Sequence, residues 1–140
     1  MNVYLETSAV VKLIRPEPGS EEARQAAGPT NLRTSCVITY AEACSALARA
    51  LDRRVRLDPR RARRELDAFW PDVHVFEVDE ALAHSAADLA LRHRLRGMDA
   101  LHLAAALEAK TAGELWLASW DRELRDAARH EGIGLIPAAL

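Results

Sequence analysis

Short, largely apolar runs separated by segments of helical period recur from one end of the chain to the other. The runs are residues 2–5 (NVYL), 32–36 (LRTSC), 73–76 (VHVF), 115–118 (LWLA) and 133–136 (IGLI). A strand with one wet face alternates apolar and polar residues. Strands apolar at consecutive positions are buried on both faces, as in a parallel sheet covered by helices. Parallel neighbours also need long crossovers, and the intervening segments supply them. We therefore expect an α/β fold with a central, mainly parallel sheet under helices on both faces. The chain has 140 residues and no repeat or low-complexity linker, so one domain over 1–140 is expected.

Local signals place the helices. One runs over about 9–15 and stops before Pro16; Pro18-Gly19 opens a second over 20–27, and a third spans 39–51. Asp58-Pro59 is an N-cap followed by proline at the first helical position. The helix after it buries Ala62, Leu66 and Phe69 and turns its arginines outward. Asp79 caps a helix with Leu82, Ala86 and Leu89 inward, and Gly97 separates that helix from one over 98–110. The last helix covers 121–129.

In open parallel sheets the ligand crevice lies outside the carboxyl ends of the strands. Glu6 follows the first run directly. Glu42 lies in the first turn after the second run, Asp121 in the first turn after the fourth, and Asp99 opens the helix before it. Each has an ordinary explanation: Thr39 and Glu42 have the spacing of a capping box, and Asp99 and Asp121 would favour a helix dipole. Glu6 is harder to explain so, because a carboxylate at a buried strand end is costly unless paired or metal-bound. Four converging carboxylates repel one another, and a hard divalent cation removes that cost. A cation held by oxygens can lower the pKa of a water and stabilise the leaving oxygen of a phosphodiester. No zinc-type His/Cys set, nucleophile elbow or glycine-rich phosphate loop competes.

The segments YLETSAVVKLIRPEPGSE, TYAEACSAL, GMDALHLAAA and LASWDREL come in the order and spacing of a PIN domain, and they most resemble the VapC-type toxins of bacterial toxin–antitoxin pairs. The resemblance runs from Val3 to about Ile136. It implies a three-layer α/β/α fold, RNA cleavage dependent on Mg²⁺ or Mn²⁺, and a homodimer inhibited by a cognate antitoxin. It implies that Glu6, Glu42, Asp99 and Asp121 are the metal-binding, catalytic acids, with Ser8 and Ser119 positioning carboxylates or waters. The opening motif is normally Asp-Thr/Ser-Ser, and here it is Glu6-Thr7-Ser8. Two readings follow: a toxin endoribonuclease using a metal-activated water, or a PIN-fold protein that binds RNA or antitoxin with cleavage weakened by Glu6. A DNA-directed nuclease of the same fold is a third.

The other features sort around that reading. Net charge is −2, so there is no overall basic signal for nucleic acid, but eight arginines against two acids lie between Arg49 and Arg64. Arg60, Arg61 and Arg64 are candidates for RNA or antitoxin contact, since arginine pairs bidentately with phosphate; a solvated helix face is the plain alternative. His102 lies three residues after Asp99, and a hard-cation site prefers oxygen, so it is expected to support the site rather than ligate. His74, His84, His93 and His130 show no partner spacing. Trp70 and Trp116 read as core or dimer surface, while Trp120 flanks Asp121. Cys36 and Cys44 lack metal or redox spacing and read as reduced core residues. The N-terminus lacks signal-peptide features and no run is long enough to span a bilayer, so a cytoplasmic protein with no membrane partner is expected.

Overall fold

Successive residues of the first run face opposite ways. Val3 and Leu5 enter one core cluster and Tyr4 the other, and all three are fully buried. This is the period-two alternation of a strand covered on both sides. The computed structural model describes residues 1–49 and 58–140. In chain order its elements are β1 (Asn2–Leu5), α1 (Thr7–Ile14), α2 (Ser20–Ala26), β2 (Leu32–Cys36), α3 (Ile38–Arg49), α4 (Pro59–Phe69), a 3-10 turn (Trp70–Asp72), β3 (His74–Phe76), α5 (Glu80–His93), α6 (Gly97–Lys110), β4 (Leu115–Ala118), α7 (Arg122–His130) and β5 (Gly134–Ile136).

The five strands form one sheet in the order β3-β2-β1-β4-β5, and every pairing is parallel. The chain moves outward from β1 to β3, then returns to the other side of β1 for β4 and β5. Right-handed crossovers put the helices of the two directions on opposite faces. That is the partition found: residues of α1 to α4 pack with Val3 and Leu5, and residues of α5 to α7 pack with Tyr4, Leu115 and Leu117. The direction reverses between β1 and β4, so the crevice of such a sheet opens at their carboxyl ends.

Boundaries depart from the sequence expectation in instructive places. The helix expected from residue 9 starts at Thr7, because the Glu6 carboxylate caps it. The strands β3 and β5 each begin one residue later than read. Residues 50–57, including Arg53, Arg54 and Arg56 and the end of the helix expected over 39–51, lie outside the described residues. Asp58 caps α4 through the Arg60 N–H and Asp79 caps α5 through the Leu82 N–H, with Ala62, Leu66, Leu82, Ala86 and Leu89 buried. Cys36 is buried and Cys44 half-buried, both as free thiols. Gly19 has φ +91°, and a Cβ there would lie 2.6 Å from Trp120 Nε1. Both the backbone and the indole thus demand glycine. Among the described residues no helix is long and apolar enough to cross a membrane.

Candidate active site

Glu6 extends the ladder one step past β1, its N–H donating to Ala118 O at 3.1 Å. Its side chain then turns back over α1. Oε2 accepts the Ser8 N–H (3.0 Å), the Ser8 hydroxyl and the Ser119 hydroxyl (2.9 Å), leaving Glu6 only 7 % exposed. Ser119 is the residue after β4, and its Oγ also accepts the Asp121 N–H at 3.1 Å. Ser8 in the first turn of α1 and Ser119 just past β4 thus fasten one carboxylate oxygen across the sheet reversal. Asp121 itself is the N-cap of α7, with Oδ1 accepting the Leu124 N–H at 2.8 Å.

Glu42 is placed by α3, but not through a capping box. Thr39 lies inside the helix and is fully buried, with its hydroxyl 2.9 Å from Ser35 Oγ. Glu42 Oε1 instead accepts the Thr7 hydroxyl at 2.7 Å and meets His102 Nε2 at 2.6 Å. The other ring nitrogen of His102, Nδ1, is 2.9 Å from the Tyr4 hydroxyl. Asp99 stands in the first turn of α6. Among the described residues the donors on Glu6, Glu42 and Asp121 each fall on a single oxygen, so each carboxylate is anchored by one oxygen.

The charges report how close the acids lie. Burial first, then the charges of Asp121 and Glu6, raise the Asp99 carboxyl above its ordinary value; Glu42 adds to this and His102 opposes it. Burial also pushes Glu42 up, but the hydrogen bonds from His102 and Thr7 outweigh it and hold Glu42 below its ordinary value. Glu42, Asp99 and Asp121 line a groove of about 710 Å³ whose other wall is the alanine face of α5 (Ala83, Ala86, Ala87 and Ala90). Glu42 also borders a second hollow, of about 660 Å³, with Thr7, Ser45 and Arg49. Arg60, Arg61 and Arg64 line neither; they are exposed on α4, and Arg61 pairs with Glu65 at 3.1 Å.

The donor set is one of carboxylate oxygens, the chemistry that Mg²⁺ and Mn²⁺ prefer. Among the described residues no group of three or more Asp, Glu, His or Cys side chains is arranged to hold a metal ion by itself. An open wall of acids suits an ion that keeps several waters and shares its shell with phosphate. It does not suit a structural zinc.

Three contributors had little or no sequence signal. Thr7 and Tyr4 support Glu42 from α1 and β1, across long stretches of chain. Arg125, 3 % exposed, donates to Ser119 O (2.8 Å) and Pro137 O (2.7 Å). It ties the loop carrying Ser119 to the C-terminal segment.

A parallel sheet with acids gathered at the carboxyl ends of its central strands defines a class of α/β proteins with an acidic, cation-suited crevice. Within that class the chain belongs to the PIN-domain family, whose model matches residues 3–130. It is 35 % identical over 140 residues to Ribonuclease VapC45 of Mycobacterium tuberculosis (strain CDC 1551 / Oshkosh), covering 99 % of this chain and 96 % of the relative. The fold is similar to that of FitAcB from Neisseria gonorrhoeae (TM-score 0.68, 20 % identity, 95 % of each chain covered). It is also similar to a toxin–antitoxin complex from Klebsiella pneumoniae (TM-score 0.62, 18 % identity, 85 % of this chain and 86 % of that one).

Proposed function

We propose that this chain, acting as one PIN domain, is a Mg²⁺- or Mn²⁺-dependent endoribonuclease and the toxin of a type II toxin–antitoxin pair. The observation that carries the reading is Asp99, which lines the groove with its carboxyl raised by burial and by the charges of the other three acids. The 35 % identical relative named a ribonuclease supports the activity. The toxin–antitoxin complex that shares the fold supports a protein antitoxin as partner. A homodimer and a cytoplasmic location belong to the same proposal.

Glu6, Glu42, Asp99 and Asp121 would hold the cation. When bound, it supplies Lewis acidity, which lowers the pKa of a water and offsets charge on a phosphodiester. Ser8 and Ser119 keep Glu6 in place, and the Leu124 N–H keeps Asp121 in place, so each presents its second oxygen without searching rotamers. The groove between the acids and the alanine face of α5 is the proposed seat of the substrate. Single-stranded or loop RNA is the proposed substrate, because its unstacked bases are accessible. Matched RNA and DNA oligonucleotides, incubated with Mn²⁺ and with chelator, test the proposal. RNA cleavage that chelator abolishes supports it. Cleavage of DNA alone, or cleavage that persists in chelator, contradicts it.

Glu6 favours a second reading, a PIN-fold protein that binds RNA or antitoxin with weakened cleavage. Its Oε2 is folded back onto Ser8 and Ser119, and the extra methylene displaces the remaining oxygen from where an aspartate would put it. Positioned catalysis is sensitive to displacements of about 1 Å. On this reading Glu6→Asp cleaves faster in Mg²⁺ and gains less in Mn²⁺. A slower Asp variant means the site is built around the longer side chain, and the first reading stands alone.

A further inference from the structure

His102 is 1 % exposed and sits one turn after Asp99 on α6. A buried histidine is often just a core residue with satisfied nitrogens. Here both nitrogens are used, and they are used in series. Nδ1 is 2.9 Å from the Tyr4 hydroxyl and Nε2 is 2.6 Å from Glu42 Oε1. A tyrosine hydroxyl can donate or accept; a carboxylate only accepts. With the proton on Nδ1 alone, Nε2 would turn a lone pair toward a carboxylate oxygen at that distance. For a neutral ring, the arrangement that satisfies all three groups has the Tyr4 O–H donating to Nδ1 and Nε2–H donating to Glu42. Thr7, at the start of α1, donates to the same Glu42 oxygen at 2.7 Å.

We propose that His102, held in its Nε2–H tautomer by Tyr4, is the positioning residue that orients Glu42 toward the groove for divalent-cation binding. The inference rests on the proposed cation site and adds to it the device that aligns one of its acids. A free glutamate side chain loses rotamer freedom when an ion locks it. Glu42 has lost that freedom already, because Oε1 is fixed by donors from two elements, α6 and α1. Oε2 is then the oxygen available to a cation. Partners that orient ligating groups in this way typically account for 10–100-fold in metal affinity or activity. The arrangement also links the elements of the site. β1 carries Tyr4 two residues before Glu6, and α6 carries His102 three residues after Asp99, so the same two elements that present two of the acids prop up a third.

Two measurements test this. The first is Mn²⁺ binding by calorimetry to wild type, His102→Leu, His102→Gln and Tyr4→Phe, with folding of each checked by circular dichroism and melting. His102→Leu should weaken Mn²⁺ binding by about 10–100-fold. His102→Gln, whose amide N–H can reach the position of Nε2–H, should restore most of that loss. Tyr4→Phe keeps a ring but removes the hydroxyl, and should fall between wild type and His102→Leu. A folded His102→Leu that binds Mn²⁺ as tightly as wild type overturns the proposal and leaves His102 a core residue. The second measurement is ¹⁵N NMR of the histidine ring in the metal-free wild type, which stays informative if His102→Leu does not fold. It should find the proton on Nε2 with Nδ1 bare; a proton on Nδ1 with Nε2 bare overturns the proposal. If wild type itself binds no Mn²⁺ while the Nε2–H tautomer is found, the cation site fails and the tautomer assignment alone survives.

Discussion

The Asp99 carboxyl is raised by burial and then by the charges of Asp121 and Glu6. A carboxyl raised in the folded state contributes its stability at pH values below its unfolded pKa of about 3.9, and loses it as pH rises through the folded value. At neutral pH, ionised Asp99 therefore works against the fold, a cost that the proposed cation would offset. Asp99→Asn should melt higher than wild type at pH 7 in chelator, and the gap should close or reverse when millimolar Mn²⁺ is added. A variant that melts lower in chelator would make Asp99 a helix-start residue that favours the dipole. The sequence reading named all four acids, since each stands at a strand end or helix start. It could not see that Glu6 and Asp121 each commit one oxygen to capping a helix. Glu42 resembled a capping-box acid by spacing, whereas its actual donors, Thr7 and His102, lie 35 and 60 residues away. Local spacing has no access to such partners.

At the scale of elements, strands and helices were legible because their periods are local; β3 and β5 begin where they pair with β2 and β4, one residue later than expected, and α1 begins two residues earlier because Glu6 caps it. His93 had no partner spacing, yet its Nε2 meets Glu131 Oε1 at 2.7 Å, and Arg92 donates to the same oxygen at 2.7 Å. Lys110 donates to the carbonyls of Glu131 and Gly132. The C-terminal ends of α5, α6 and α7 are joined there. The hydrogen bonds from His93 and Arg92 hold the Glu131 carboxyl below its ordinary value. Its contribution is thus present above the unfolded pKa of about 4.3 and is lost as pH falls through the lower folded value. Glu131→Gln should cost about 0.5–1 kcal/mol at pH 7 and less in acid, by denaturant melts at both pH values. An equal loss at both would assign the effect to packing. Arg125 was legible only as one more helical arginine, because its acceptors lie in two different loops. Arg125→Leu leaves the carbonyls of Ser119 and Pro137 unpaired and should cost about 1–3 kcal/mol. Cleavage should fall with it, since Ser119 fastens Glu6.

Over the whole molecule the sheet reversal explains why acids distant in sequence approach one another: Glu6 and Asp121 follow the neighbouring strands β1 and β4, and α3 and α6 bring Glu42 and Asp99 from opposite faces, with Glu42, Asp99 and Asp121 lining the groove and Glu6 buried. The net charge of −2 hides an arginine-rich face on α4 that lies outside the groove. If that face grips RNA or antitoxin, Arg60, Arg61 and Arg64 changed together to Gln should weaken binding and flatten its salt dependence, because phosphate contacts release counterions. Equal affinity and equal salt slope would make it a solvated face. On the proposed function the four acids promote RNA cleavage by holding a divalent cation. Single-turnover cleavage of one RNA by wild type and Asp99→Asn across a Mn²⁺ titration tests this. Wild-type cleavage should rise and saturate with Mn²⁺, and the variant should be slower by at least the roughly 10–100-fold that loss of a ligand-orienting partner costs. A folded variant that cleaves at the wild-type rate, or wild-type cleavage indifferent to Mn²⁺, would contradict it.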